Sequence, residues 1–391
     1  MTPAARLQAA IEILDQVIGS VREDGPPADA LVTRYFKTRR YAGSKDRRAV
    51  RELVFRAIRT VAERPESGRE VALALATADP ALANLFGEPR GPVPVAEGEL
   101  VAKPGAVPGW LIPELSPLVE PAEWPALLER APVDLRVNAA RAKRDDLLAD
   151  FPGGEPTSLS PWGIRLPADT RIDDHPAFAK GLVEVQDEGS QLIAAACRAE
   201  GEQHILDLCA GAGGKSLALA AASPTSVILA TDSNRSRLSK LAPRAERAKA
   251  RIETRLLNPP NELQELADWR AKADVVLVDA PCSGSGTWRR NPEGRWRLTP
   301  VRLDRLIGLQ KQLLDIASEL VRPGGALVYA VCSLLSREGA GQIQDFLSRR
   351  SSWSVEETPI AAGRLDGAGR MLTPGHDATD GFFVARLVRA C

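Results

Sequence analysis

The sequence has little with which to hold a metal. It contains three histidines and five cysteines (Cys197, Cys209, Cys282, Cys332 and Cys391), and no two cysteines form a C-x-x-C pair. Zinc-type ligand spacing is therefore missing, and no metal is expected. Net charge is missing too: Lys plus Arg and Asp plus Glu number 51 each, so the overall charge argues neither for nor against nucleic acid. No apolar run approaches a membrane span, so no membrane partner is expected. The opening stretch MTPAARLQAAIEILDQVI carries Glu12 and Asp15 and lacks the apolar centre of a secretion signal. Free thiols in a reducing cytoplasm fit these absences. No internal repeat occurs at solenoid periods.

What is present is organised along the chain. At 391 residues it has room for two or three domains. Leu7, Ala10, Ile11, Leu14, Val17 and Ile18 recur at helical spacing. Leu31, Val32, Tyr35 and Phe36 suggest a second helix. Ser44 can cap a third, with Val50, Leu53, Val54, Ala57 and Ile58 on one face. Between Arg34 and Arg64 stand eleven basic residues against three acids. That is either a solvated helix face or a phosphate-binding surface. A helical domain is expected over 1–86. Residues 87–109 are rich in Pro and Gly and read as a linker. A small α/β subdomain is expected over 110–180.

From 181 to 391 apolar strands alternate with helices. Strands are expected at 204–208, 227–231, 274–278 and 326–331, with a last pair near 352–356 and 382–388. Helices are expected at 187–199, 214–222, 233–248 and 301–321. This is the pattern of an α/β, doubly wound, mostly parallel sheet, whose ligands bind beyond the carboxyl ends of its strands.

One such end reads LDLCAGAGGKS (206–216). As a phosphate loop it fails, because Cys209 stands where the first glycine belongs. As a dinucleotide fingerprint it fails, because Ser216 stands at the third glycine. The remaining reading is a turn for S-adenosylmethionine, where small residues let the backbone approach the cofactor. The next strand ends in Asp232, which either caps a helix or accepts the ribose hydroxyls.

Two thiols also follow strands: Cys282 in DAPCSGSG (279–286) and Cys332 in YAVCSLL. Methyl transfer to carbon-5 of a cytosine needs such parts. A thiolate adds to carbon-6 and turns carbon-5 into an enamine carbon that can attack a sulfonium methyl. An acid such as Asp279 near ring nitrogen-3 stabilises the adduct. Neighbouring parallel strand ends lie roughly 5 Å apart, so both thiols can reach one base. Spacing does not say which thiol attacks. Cys197, in an Ala-rich helix, reads as a buried small hydrophobe.

VQDEGSQL (185–192), LDLCAGAGGK, VDAPCSGSGTWRRNP and YAVCSLLSREG together resemble the RNA 5-methylcytosine methyltransferases of the Sun/RsmB/Nop2 family. TDGFFVARL (379–387) and LRVN (135–138) resemble that family's last strand and the start of its small α/β subdomain, and residues 1–86 resemble a NusB-like RNA-binding domain. The resemblance implies a Rossmann-like methyltransferase domain, the cofactor S-adenosylmethionine, and cytosine-C5 methylation of RNA. 16S ribosomal RNA is the implied target, with transfer RNA as the alternative. The competing readings are a ribosome-assembly RNA-binding protein with secondary or lost catalysis, and a DNA methyltransferase, which the second thiol Cys332 disfavours. It also implies roles: Cys332 as nucleophile, Cys282 in product release, Asp279 on the base and the cofactor. Cys209, Ala210, Gly211, Ala212, Gly213, Gly214 and Lys215 would line the cofactor, Asp232 would hold its ribose, and Asn258 its adenine. Ala212 stands where many members have Pro, and Val331 where Thr usually precedes the nucleophile. Trp288, Arg289, Arg290, Arg295, Trp296 and Arg297 are expected to suit an RNA strand.

Overall fold

The computed structural model describes residues 1–391 and falls into two compact units. The first comprises residues 1–115, 121–129 and 287–302. Its frame is four helices: α1 (Pro3–Arg22), α2 (Ala28–Lys37), α3 (Ser44–Thr60) and α4 (Gly68–Ala78). The apolar stripes read from the sequence are the faces that pack. Ile13, Leu14 and Val17 of α1 meet Leu31 of α2, Val50, Val54 and Ile58 of α3, and Val71 of α4. Burying each such side chain contributes roughly 1.5–3 kcal/mol, more than propensity supplies to helices this short. Ser44 is the first residue of α3 rather than its cap; Asp46 closes the turn by accepting the Gly43 N–H at 3.3 Å.

The Pro/Gly-rich segment is pinned to this unit. Arg69 donates to the carbonyls of Val93 (3.2 Å) and Pro94 (3.1 Å), and the Ala102 N–H donates to the Glu70 carbonyl (3.2 Å). Residues 287–302 belong to this unit as well. Trp296 lies within its apolar core and donates its indole N–H to the Val61 carbonyl at 3.1 Å. Arg295 is 1% exposed, and its guanidinium is satisfied by the carbonyls of Ile58, Ala106 and Pro292. Burial and the nearby Arg59 push Arg295 down to about 9. Trp288 and Arg289 are buried too. The expectation that Trp288, Arg295 and Trp296 line an RNA strand is thus overturned: all three are interior groups, and the polar atoms of Arg295 and Trp296 serve the protein's own backbone.

The second unit holds two sheets. The small one has the order β2-β3-β1-β4, all antiparallel, built from β1 (Val133–Val137), β2 (Glu155–Pro156), β3 (Gly163–Leu166) and β4 (Val183–Val185). The large sheet follows. Its parallel strands are β5 (His204–Asp207), β6 (Val227–Asp232), β7 (Glu253–Leu256), β8 (Ala273–Asp279) and β9 (Val321–Val331). Their spatial order is 9-8-5-6-7, so the order reverses between β5 and β8. A crevice at such a reversal is where open α/β sheets bind ligands. Beyond β9 the sheet turns antiparallel through β13 (Phe382–Arg389), which also pairs with β10 (Trp353–Glu356). The hairpin β11 (Arg364–Asp366) and β12 (Gly369–Leu372) extends it. The sequence reading did not include that hairpin. The helix expected at 233–248 is two pieces, Arg235–Leu238 and Leu241–Ala248. No helix is long and apolar enough to cross a membrane.

Candidate active site

The glycine turn after β5 is shaped by backbone geometry. Gly211 and Gly213 have φ of +56° and +80°, and a Cβ on Gly213 would lie 2.1 Å from Leu241 Cδ1. Only glycine meets both demands without strain. The turn closes through the Gly213 N–H to the Ala210 carbonyl (2.8 Å) and leads into the helix Gly214–Ala222. Alanine at 212 leaves it intact. The Ala212 carbonyl accepts from Arg244 at 2.5 Å, and Arg244 is held by the buried Glu184 of β4 at 2.9 Å. Buried Arg136 of β1 donates to the Gly214 carbonyl at 2.9 Å. These three residues brace the turn from the small sheet and a neighbouring helix. The sequence reading did not single them out, because no local motif marks a contact across 78 residues.

Acids surround the turn. Asp232, at the end of β6, accepts from the Gly211 N–H at 2.8 Å and the Asn234 N–H at 2.6 Å. The cap of the next helix is Asn234, whose Oδ1 accepts from the Arg237 N–H at 3.1 Å. Capping therefore does not account for Asp232, which lies 7% exposed against the glycine turn. Asp207 is wholly buried; its Oδ2 accepts from the Ser216 hydroxyl at 2.6 Å, and its Oδ1 has no partner. Burial, with Asp279 and Asp232 nearby, pushes it up to about 7 despite the Ser216 hydrogen bond. Asn258 is exposed beyond β7, and its side-chain amide donates to Glu265 at 2.8 Å. Burial pushes the Cys209 thiol well above its usual value, helped by Asp207, Asp232 and Asp279.

At the ends of β8 and β9 the two thiols meet. The parallel register pairs Asp279 with Ala330, and the loops beyond are bonded to each other: the Gly286 N–H donates to the Cys332 carbonyl at 3.1 Å. Gly286 in turn accepts from the Gly381 N–H at 2.8 Å; a Cβ there would lie 2.0 Å from the Gly381 carbonyl oxygen. Cys282 Sγ and Cys332 Sγ are 3.3 Å apart, with no disulfide between them. Beside them Lys215, from the glycine turn, donates to Asp279 at 2.7 Å. Burial alone would lower the Lys215 ammonium; the charge and hydrogen bond of Asp279, then Cys332 and Asp207, hold it above the usual lysine value. The structure thus brings Cys282, Cys332, Asp279 and Lys215 together beyond the carboxyl ends of β5, β8 and β9. Asp232 lies at the end of β6 against the same glycine turn, and Asn258 beyond β7.

An unpartnered buried carboxylate oxygen and a glycine turn closed to any Cβ suit a cofactor with an amino-acid end and a ribose. Fold and site together define the class of S-adenosylmethionine-dependent methyltransferases with a Rossmann-like sheet, and S-adenosylmethionine is the cofactor. The family described as 16S rRNA methyltransferase RsmB/F matches residues 194–388, and the chain belongs to this RsmB/F methyltransferase family. Ribosomal RNA small subunit methyltransferase B of Salmonella arizonae is 34% identical over 292 residues, which cover 72% of this chain and 66% of that protein, just short of two thirds of its length. The solved structure of PH0851 superposes with a TM-score of 0.74 at 20% identity over 99% of both chains. A structure of NSun6 from Pyrococcus horikoshii with SFG superposes at 0.61 and 19% identity, over 68% of this chain and 93% of that one. The first of these folds covers the helical region as well.

Proposed function

We propose that this protein methylates carbon-5 of a cytosine in RNA, most directly 16S ribosomal RNA, through a transient bond between Cys332 and the base. The observation that carries the reading is the thiol pair, 3.3 Å apart, beside the Lys215–Asp279 pair at the sheet's reversal point. Cys332 is the nucleophile: it adds to carbon-6, with the Lys215 ammonium beside it. Asp279 holds the base by its nitrogen-3 edge. The bound sulfonium donor supplies the methyl group that carbon-5 receives. Carbon-5 then gives its proton to solvent water, the 5,6 double bond re-forms as the carbon–sulfur bond breaks with its electron pair returning to Cys332, and Cys282 assists that release. The turn from Cys209 to Lys215 holds the donor, with Asp232 on its ribose and Asn258 toward its adenine. Family membership supports ribosomal RNA as substrate, as does the name of the Salmonella arizonae relative.

The test is Cys282→Ala. Attack remains possible while release is impaired, so incubation with S-adenosylmethionine and small-subunit RNA is expected to accumulate a protein–RNA adduct. It would be seen as a slowly migrating band on a denaturing gel and lost in Cys282→Ala/Cys332→Ala. Absence of that band with ribosomal RNA, and its appearance with transfer RNA, would move the substrate. Absence with both would remove the covalent mechanism.

A further inference from the structure

Glu338 has no part in this scheme, yet it is a carboxylate with no exposed surface beside both thiols. Oε1 accepts from the Ser283 N–H at 2.9 Å and from the Gln310 side-chain amide at 2.9 Å. Oε2 accepts from the Ser333 hydroxyl at 2.6 Å. Ser283 follows Cys282 and Ser333 follows Cys332, so one side chain grips both thiol-bearing loops. The grip is fixed at its root, since the Glu338 carbonyl accepts from the Tyr329 hydroxyl of β9 at 2.7 Å. Burying a carboxylate costs several kcal/mol, whereas a neutral side chain of the same shape would fill the space without that cost. The charge is therefore the feature that calls for a role.

We propose that Glu338 is a positioning residue: it locks the loops after β8 and β9 together and, through its charge, keeps Cys282 a thiol whose S–H points to the attacking Cys332. This rests on the roles given to the two cysteines above. No bond is made or broken in the role; the proton stays on Cys282 and the lone pair of Cys332 is left to attack. The groups facing Cys282 agree. The hydrogen bond with Cys332 raises the Cys282 thiol first, then burial, then the charges of Cys332 and Glu338, while only the Gly284 N–H opposes. Tyr329 faces it from β9, and the Lys215–Asp279 pair lies on the Cys332 side.

The full-length protein, without RNA or donor, is alkylated with iodoacetamide across the neutral to alkaline range, and each cysteine is followed by peptide mass spectrometry. Glu338→Gln keeps the shape and removes the charge. It is expected to move the Cys282 midpoint down by about one unit and to speed its alkylation about tenfold below that midpoint. Ser333→Ala keeps the charge but strips a hydrogen bond from it, so Cys282 alkylation is expected to slow by about threefold. That second variant decides the matter if the first does not fold. A changed rate with an unmoved midpoint, or an equal rise at buried Cys197, would reduce Glu338 to a structural brace and overturn the proposal. With no RNA or donor present, that failure stands apart from a missing adduct in Cys282→Ala, which would refute the thiol chemistry itself.

Discussion

A single atom, Asp207 Oδ1, is the least comfortable polar group beside the glycine turn: it is buried and unpartnered. Its carboxyl is pushed from 3.8 up to about 7, so the folded chain holds a proton there that the unfolded chain has released. The stability that this proton brings is complete below the unfolded value. It declines as pH rises and is lost once pH passes the folded value. Asp207→Asn carries no such penalty and can still accept from Ser216. Between pH 5 and 8 the variant should therefore gain about 3 kcal/mol relative to the parent, read by urea unfolding without cofactor. Equal pH dependence of the two proteins would show that the carboxyl titrates normally. Asp207 sits in full view within LDLCAGAGGKS, yet nothing local distinguishes it from any strand-end acid. Its character comes first from burial and then from Asp279 and Asp232, which arrive from other strands, against the opposing Ser216 hydroxyl and Lys215 of the following helix.

At the scale of an element, the glycine turn shows how much a local pattern can say. Positive φ at Gly211 and Gly213 is a demand of the backbone itself, and glycine at those positions is its signature. The same logic predicts the outcome of Gly213→Ala. A methyl group there meets Leu241 Cδ1 at 2.1 Å in a left-handed conformation. Binding of S-adenosylhomocysteine, measured by calorimetry, should weaken at least tenfold while the far-UV spectrum is retained. Gly213→Ala/Leu241→Ala should recover part of the loss, since the clash is relieved and only backbone strain of about 1–2 kcal/mol remains. No recovery would mean that the turn, not the neighbour, sets the cost. The braces on this turn were hidden for the opposite reason. Glu184, Arg136 and Arg244 look like ordinary strand and helix charges until the chain folds, when Arg136 and Arg244 prove to donate to main-chain carbonyls of the turn and Glu184 to hold Arg244 in place.

On the scale of the whole molecule, neutral net charge conceals an uneven surface. Within the basic stretch, Arg39 is tied to Glu12 and stacked on Tyr35, while Arg51 and Arg56 pair with Asp29 and Asp79. Arg40, Lys45 and Arg48 are exposed. If this face binds RNA phosphates, replacing those three by Gln should weaken RNA binding and reduce the slope of log K against log salt by about 2. An unchanged slope in a filter-binding titration would leave the face merely solvated. The contrast with residues 287–302 is instructive. There Trp288, Arg295 and Trp296 carry the same composition as a nucleic-acid surface, and the fold uses them as core.

The sequence by itself determined what depends on neighbours along the chain: the amphipathic stripes of α1 to α3, the β–turn–helix around Gly211 and Gly213, and the strand ends at Asp279 and Cys332. Periodicity and backbone conformation are local, so they are written in order. Tertiary structure decided which groups share a space. It set Cys282 against Cys332, gave Lys215 to Asp279, and buried Glu338 between two loops 50 residues apart. It also turned Arg295 inward, because a guanidinium surrounded by free carbonyls is satisfied without solvent, and only the folded chain could provide them.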